Sequence, residues 1–169
     1  MNAVPSLVSV EEYLHTAYEP DCDYVDGVVE DRNRGEKDHN KVQRALLVYL
    51  HLRQREFGIF VIQEQRLRLG PNRYRVPDLC VVVGTEPDEQ IFTQPPFLCI
   101  EILSPEDRMS RMQSRIDDYL AFGVRYVWVI DPGTRRAWIY TADSIHEVRD
   151  GILRTQSPAI EVPLAALFE

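Results

Sequence analysis

Apolar and polar positions alternate along the chain in two rhythms, one of about 3.6 residues and one of two, and their succession sets out the elements. Ser9-Val-Glu-Glu12 places a hydroxyl three residues before a carboxylate, the form of a capping box, and predicts a short helix through about Ala17, stopped by Pro20-Asp21. In "YVDGVVEDR" the strand-forming Tyr and Val residues are broken by Asp26-Gly27, a hairpin turn signal, which predicts a β-ribbon over residues 23–31. From Asp38 to Phe57 the apolar residues Val42, Ala45, Leu46, Tyr49, Leu50 and Leu52 recur at helical spacing, and Gly58 marks the end of this longest helix.

"IFVIQEQRLRLG" and "RYRVPDLCVVV", joined by Gly70-Pro71-Asn72, predict two antiparallel strands. Leu79 to Val83 is apolar without alternation, as in a strand covered on both faces, and is expected near the sheet centre. A polar loop from Gly84 to Pro96 leads to a strand over residues 97–103. An amphipathic helix follows over residues 107–122 through Met109, Met112, Ile116, Tyr119 and Leu120, closed by Gly123, and then a strand over residues 125–131. Strand, helix and strand in so short a span predict a crossover unit whose two strands are parallel neighbours. Pro132-Gly133 turns into "RAWIYT", short strands follow with a turn at Asp150-Gly151, and "VPLAALFE" ends the chain as a short helical stretch. The whole reads as one α/β (α+β) domain over residues 1–169, a mixed β-sheet flanked by helices.

Composition narrows the function classes. At 44% hydrophobic and 27% charged residues the chain is ordinary for a globular protein, and no apolar run approaches the ~20 residues that span a bilayer. The N-terminus lacks the basic start and long apolar stretch of a secretory signal, so a cytoplasmic location is expected. Cys22, Cys80 and Cys99 are widely spaced and odd in number, which argues for buried free thiols rather than disulfides or a zinc site. A net charge of −8 excludes coating of nucleic acid by bulk electrostatics and requires any nucleic-acid contact to use a concentrated arginine patch.

Two acids stand out against this pattern. Strand periodicity puts Phe97, Cys99, Glu101 and Leu103 on one face and Leu98, Ile100 and Ile102 on the other, so Glu101 points into a helix-covered layer. An ionised carboxylate there needs a cation, strong hydrogen bonds or a raised pKa. Asp78, directly after Pro77, opens the apolar run 79–83 and raises the same question. Asp and Glu on neighbouring strands can share one divalent cation, with the oxygen ligation that Mg²⁺ or Mn²⁺ prefers. They are equally readable as structure: Asp78 satisfying backbone donors at a strand start, and Glu101 in a buried ion pair with Arg115 or Arg75.

"YVDGVVEDR", "EKDHNKVQRALLVYL", "EQRLRL", "RVPDLCVVV", "CIEILSPEDR", "RIDDYLAFGV" and "VWVIDP" resemble, in order and over nearly the whole chain, the blocks of the bacterial restriction-endonuclease family called Uma-two, of the PD-(D/E)XK nuclease type. The resemblance implies a restriction-endonuclease-like fold and a Mg²⁺- or Mn²⁺-dependent phosphodiesterase site on Asp78 and Glu101, acting on DNA. PD-(D/E)XK enzymes usually carry a lysine two residues after the Glu, where this chain has Leu103. The family moves it to the following helix, four residues before a Tyr, where this chain has Arg115. Arginine keeps a charge that can stabilise a transition state, but it cannot deprotonate water. Asp23, at the place of a family Glu, His39, matching a recurrent His, and Glu64, beside Arg66, are auxiliary candidates by the same resemblance.

Ser104 and Ser110 have no His nearby in sequence, so nucleophilic hydrolase chemistry finds no support. Arg66, Arg68, Arg73 and Arg75 on the hairpin, and Arg108, Arg111 and Arg115 after Glu101, are the two candidate phosphate-binding patches. The leading expectation is a metal-dependent endonuclease in which Asp78 and Glu101 hold the metal and Arg115 stabilises negative charge. Cutting both strands would suit a homodimer. The alternative is a catalytically silent nuclease-fold protein that binds nucleic acid or a protein partner.

Overall fold

The structure is a computed structural model that describes residues 6–32 and 36–169. Ser9 caps α1 (Val10–His15) as expected, its Oγ accepting from the Glu12 N–H at 3.1 Å. The helix ends at His15 rather than near Ala17 because Thr16 turns extended and its N–H bonds back to the Tyr13 carbonyl. β1 (Asp23–Val25) and β2 (Val28–Glu30) pair antiparallel around Asp26 and Gly27, both at positive φ, the conformation a tight hairpin turn demands.

The single long helix expected over residues 38–57 is two helices, α2 (Lys37–Leu52) and α3 (Gln54–Phe57). Arg53, at φ −110° and ψ 12°, falls outside the helical well and divides them, while Gly58 closes α3 in the left-handed conformation.

The expected two-stranded hairpin is also divided, and its division builds the site. It consists of β3 (Ile59–Gln63), β4 (Leu67–Gly70), β5 (Arg73–Arg75) and β6 (Leu79–Val83). β3 pairs with β6 in one sheet, whereas β4 pairs with β5 in another. The ribbon breaks at Glu64, which adopts a positive φ, and on the return at Pro77, which has no N–H to offer a ladder. The Asp78 carbonyl accepts the Glu64 N–H at 3.1 Å and ties the two breaks together. Asp78 therefore lies where the chain passes from one sheet into the other.

The smaller sheet has the order β2-β1-β5-β4. The larger continues with β7 (Leu98–Ile102), β8 (Tyr126–Asp131), β9 (Arg136–Tyr140) and β10 (Ile145–Glu147), in the order β10-β9-β8-β7-β6-β3. β7 and β8 run parallel and are connected through α4 (Met109–Phe122), the expected crossover. β6 lies one strand in from the edge rather than near the centre; its first three residues are buried, and Val83 at its far end is half exposed. β11 (Ile152–Thr155) and β12 (Ile160–Pro163) form a separate hairpin before a closing 3-10 turn at Leu164–Leu167.

The larger sheet is covered on both faces. Leu79, Val81, Leu98, Ile100 and Ile102 pack with Val42, Leu46 and Leu50 of α2. On the opposite face Cys80 and Cys99 pack with Met112, Ile116 and Tyr119 of α4. All three cysteines are buried and free, as expected. Among the described residues no helix is long and apolar enough to cross a membrane.

Candidate active site

The antiparallel register pairs Leu79 with Ile100, so Asp78, one residue before β6, falls beside Glu101 of β7, whose side chain lies on the face that α4 covers. Both side chains are almost wholly shielded, at 4% and 1% exposure. Asp78 is held from three sides. Its Oδ1 accepts from Arg32 Nη2 at 2.7 Å, and its Oδ2 accepts from the Ile102 backbone N–H at 2.7 Å and faces His39 Nε2 at 3.3 Å. Gln43 of α2 donates to the Asp78 carbonyl at 3.1 Å.

Glu101 is held by α4. Tyr119 donates its hydroxyl to Oε1 at 2.5 Å, while Arg115 Nη1 reaches Oε2 only at 3.5 Å. Residues 115 and 119 are four apart and lie on one helix face, which is why both meet the same carboxylate. Arg115 turns its Nε to Asp23 Oδ2 at 3.1 Å. Asp23 is fully buried on β1, where it also accepts from Arg75 Nη1 at 3.0 Å and the Val76 N–H at 2.9 Å. Arg75 spends its remaining donors on Glu30, Asp118 and Ser114.

The two facing acids are tuned in opposite directions. Burial alone would raise the Asp78 carboxyl, but the His39 hydrogen bond and the Arg32 charge outweigh it and hold the group below its ordinary value. For Glu101 burial wins. Arg115 opposes it and the Asp78 charge adds to it, and the carboxyl is pushed up to about 7. Burial would lower His39, yet its bond to Asp78 raises it instead. Arg115, costly to bury, is held charged by Glu101 and Asp23.

Asp78, Glu101, Arg115, Asp23 and His39 thus come together from four elements and one junction. Glu64 does not join them: its side chain is exposed, and its contribution is the backbone bond to Asp78. Arg66 pairs with Asp21 at 2.7 and 2.6 Å rather than with Glu64. Arg75 pairs with Asp23 rather than with Glu101, and the pair expected between Glu101 and Arg115 is present but long. Arg66, Arg73 and Arg75 are consumed by acids, which removes most of the hairpin patch as a phosphate-binding surface.

Two residues were not foreseen. Arg32 sits just after β2, and its Nη1 is buried with no partner among the described residues. It could be found only as the basic end of "YVDGVVEDR". Tyr119 was legible as a core residue, and its hydroxyl bond follows from the four-residue spacing to Arg115.

The donor set suits a hard divalent cation. Among the described residues Oδ1 of Asp78 receives only Arg32 and Oε2 of Glu101 only the long Arg115 contact, which leaves acceptor capacity on the two carboxylates. Among the described residues no three His, Cys, Asp or Glu side chains gather as a ready cage. The fit is therefore to an ion such as Mg²⁺ that completes its shell with water and substrate oxygens. The unpartnered Arg32 Nη1 is a donor and suits an anion beside such an ion.

Comparison with known proteins gives the same fold. A solved structure from Anabaena variabilis ATCC 29413, described as a "putative nuclease belonging to DUF820", superposes with a TM-score of 0.81 at 22% sequence identity, covering 95% of this chain and 97% of that one. Among curated proteins none matches. The model of the Uma2 family, described as "Putative restriction endonuclease", matches residues 10–165. A match over that span, on a nuclease-like fold with two opposed buried acids, leads to one conclusion: the chain belongs to the Uma2 family.

Proposed function

We propose that this protein is a metal-dependent endonuclease that hydrolyses DNA phosphodiester bonds at Asp78 and Glu101. The observation that carries the reading is two buried carboxylates brought side by side, Asp78 just before β6 and Glu101 on β7, one held ionised and the other raised to about 7. Asp78 and Glu101 would hold Mg²⁺ or Mn²⁺, which supplies Lewis-acid polarisation of the phosphate and eases deprotonation of the attacking water. Arg32 and His39 keep Asp78 ionised and fix its orientation. Tyr119 fixes Glu101. Arg115 presents a permanent charge beside Glu101, placed to stabilise negative charge on a phosphate.

Supercoiled plasmid incubated with the protein should be nicked in Mg²⁺ and left intact in EDTA. Asp78→Asn and Glu101→Gln should each lower the rate by at least about 100-fold. Equal trace activity in wild type and both variants would sink the reading.

The second reading, a nuclease-fold protein that binds without cutting, is favoured by one observation: an arginine stands where the family has a lysine, and it is locked between Glu101 and Asp23. Arg115→Lys separates the two readings in the same assay. An endonuclease in which Arg115 works loses activity on the change, whereas a site silenced by that arginine gains it.

A further inference from the structure

Arg111 and Arg115 are four residues apart on one face of α4, and Arg108, the N-cap residue that precedes the helix, continues their row toward solvent. Their exposure falls along that row. Arg108 and Arg111 are exposed, and Arg115 is 12% exposed where it meets Glu101. All three line one cavity of about 210 Å³, together with Asp31, Glu106 and Asp107. In a chain of net charge −8, where Arg66, Arg73, Arg75, Arg136 and Arg154 are all paired with acids, the side chains of Arg108 and Arg111 have no partner among the described residues. Two guanidinium groups with no ion pair among the described residues thus lead from solvent toward the buried acids.

We propose that Arg108 and Arg111 form a phosphate track, gripping the backbone of a nucleic-acid strand next to the linkage held at Asp78 and Glu101. The inference rests on the nuclease reading above and extends it to residues that position the substrate. The chemistry of the cavity selects the occupant. Three carboxylates stand against three guanidinium groups, one of them Asp107, which accepts the Ser104 N–H at 2.6 Å. A free phosphate dianion gains little from so balanced a lining. A strand with one charge per linkage can place successive phosphates on the exposed arginines, displacing a counterion at each. Arg108 and Arg111 touch no reacting atom in this arrangement and act as positioning residues.

The test is binding, measured apart from cleavage. Fluorescence anisotropy of a labelled DNA duplex in EDTA, titrated with salt, compares wild type with Arg108→Ala/Arg111→Ala. A control pair, Arg44→Ala/Arg55→Ala, removes two exposed charges from α2 and α3. Loss of two phosphate contacts should flatten the slope of log affinity against log salt by about 1.8 and weaken binding about 60-fold at 0.1 M salt. The control pair should bind as wild type does, and inorganic phosphate at matched ionic strength should not displace the duplex. The track is overturned, with the nuclease reading intact, if wild type binds and Arg108→Ala/Arg111→Ala binds equally well, if the control pair loses as much, or if inorganic phosphate competes. If wild type binds no duplex even at low salt, the track falls, while the nuclease reading is decided separately by the nicking assay in Mg²⁺.

Discussion

A carboxyl that is harder to ionise inside the protein than in water costs the fold free energy whenever the pH forces it to ionise. Glu101, raised from an ordinary 4.5 to about 7, binds its proton more tightly in the folded state. Its effect on stability is therefore most favourable below pH 4.5, declines as pH rises to 7, and levels off above, for a total of about 3 kcal/mol. Asp78 has the opposite sign, since its lowered carboxyl adds stability above its ordinary 3.8 and loses it as pH falls. Glu101→Gln should accordingly stabilise the protein by about 1–3 kcal/mol at pH 8, with the gain gone near pH 5, as read by urea denaturation at both values. The same variant should be inactive. A buried acid that weakens the fold yet is needed for activity is what a working site retains.

Among the elements, α4 does the most to place the chemistry, because Tyr119, Arg115 and Arg111 hang from it and Arg108 is its N-cap residue. Gly123 sets where it ends, at φ 111°, and an added Cβ would meet Pro95 Cγ at 3.3 Å. Gly123→Ala should cost about 1–2 kcal/mol and lower the melting temperature by several degrees in a thermal scan. The crossover from β7 through α4 to β8 was legible in sequence because apolar periodicity and glycine punctuation agreed there. The split hairpin was not. Its turning residue, Glu64, takes a positive φ that only glycine or asparagine would have signalled, and Pro77 reads equally well as the start of a strand. The break at Arg53 left no mark for a similar reason, since the apolar spacing runs through it. Asp78 and Glu101 could be found because acids in apolar strands demand a reason. Arg32 could not, because its partner lies 46 residues away and no local pattern ties the two together.

At the scale of the molecule the acidic surface and the basic row oppose one another. A net charge of −8 repels a polyanion generally, and the cavity beside α4 offers it one favourable approach. Such a surface suppresses indiscriminate association while leaving a local route to the buried acids. It also explains why the hairpin arginines, suggestive in sequence, serve structure instead: Arg73 and Arg75 of the smaller sheet are tied to Asp118 of α4.

The passage of the chain from one sheet into the other at Asp78 has a temporal meaning as well. Asp23 and Arg75 come from the smaller sheet, Glu101 from the larger, and Arg115 and Tyr119 from a helix made later than all of them. No short stretch of the chain contains a usable fragment of the site, and its pieces meet only through contacts distant in sequence. A partly synthesised or partly docked chain therefore carries both acids with nothing to orient them. Under the endonuclease reading proposed above this is a built-in safeguard, since hydrolytic competence would arrive only with the completed fold.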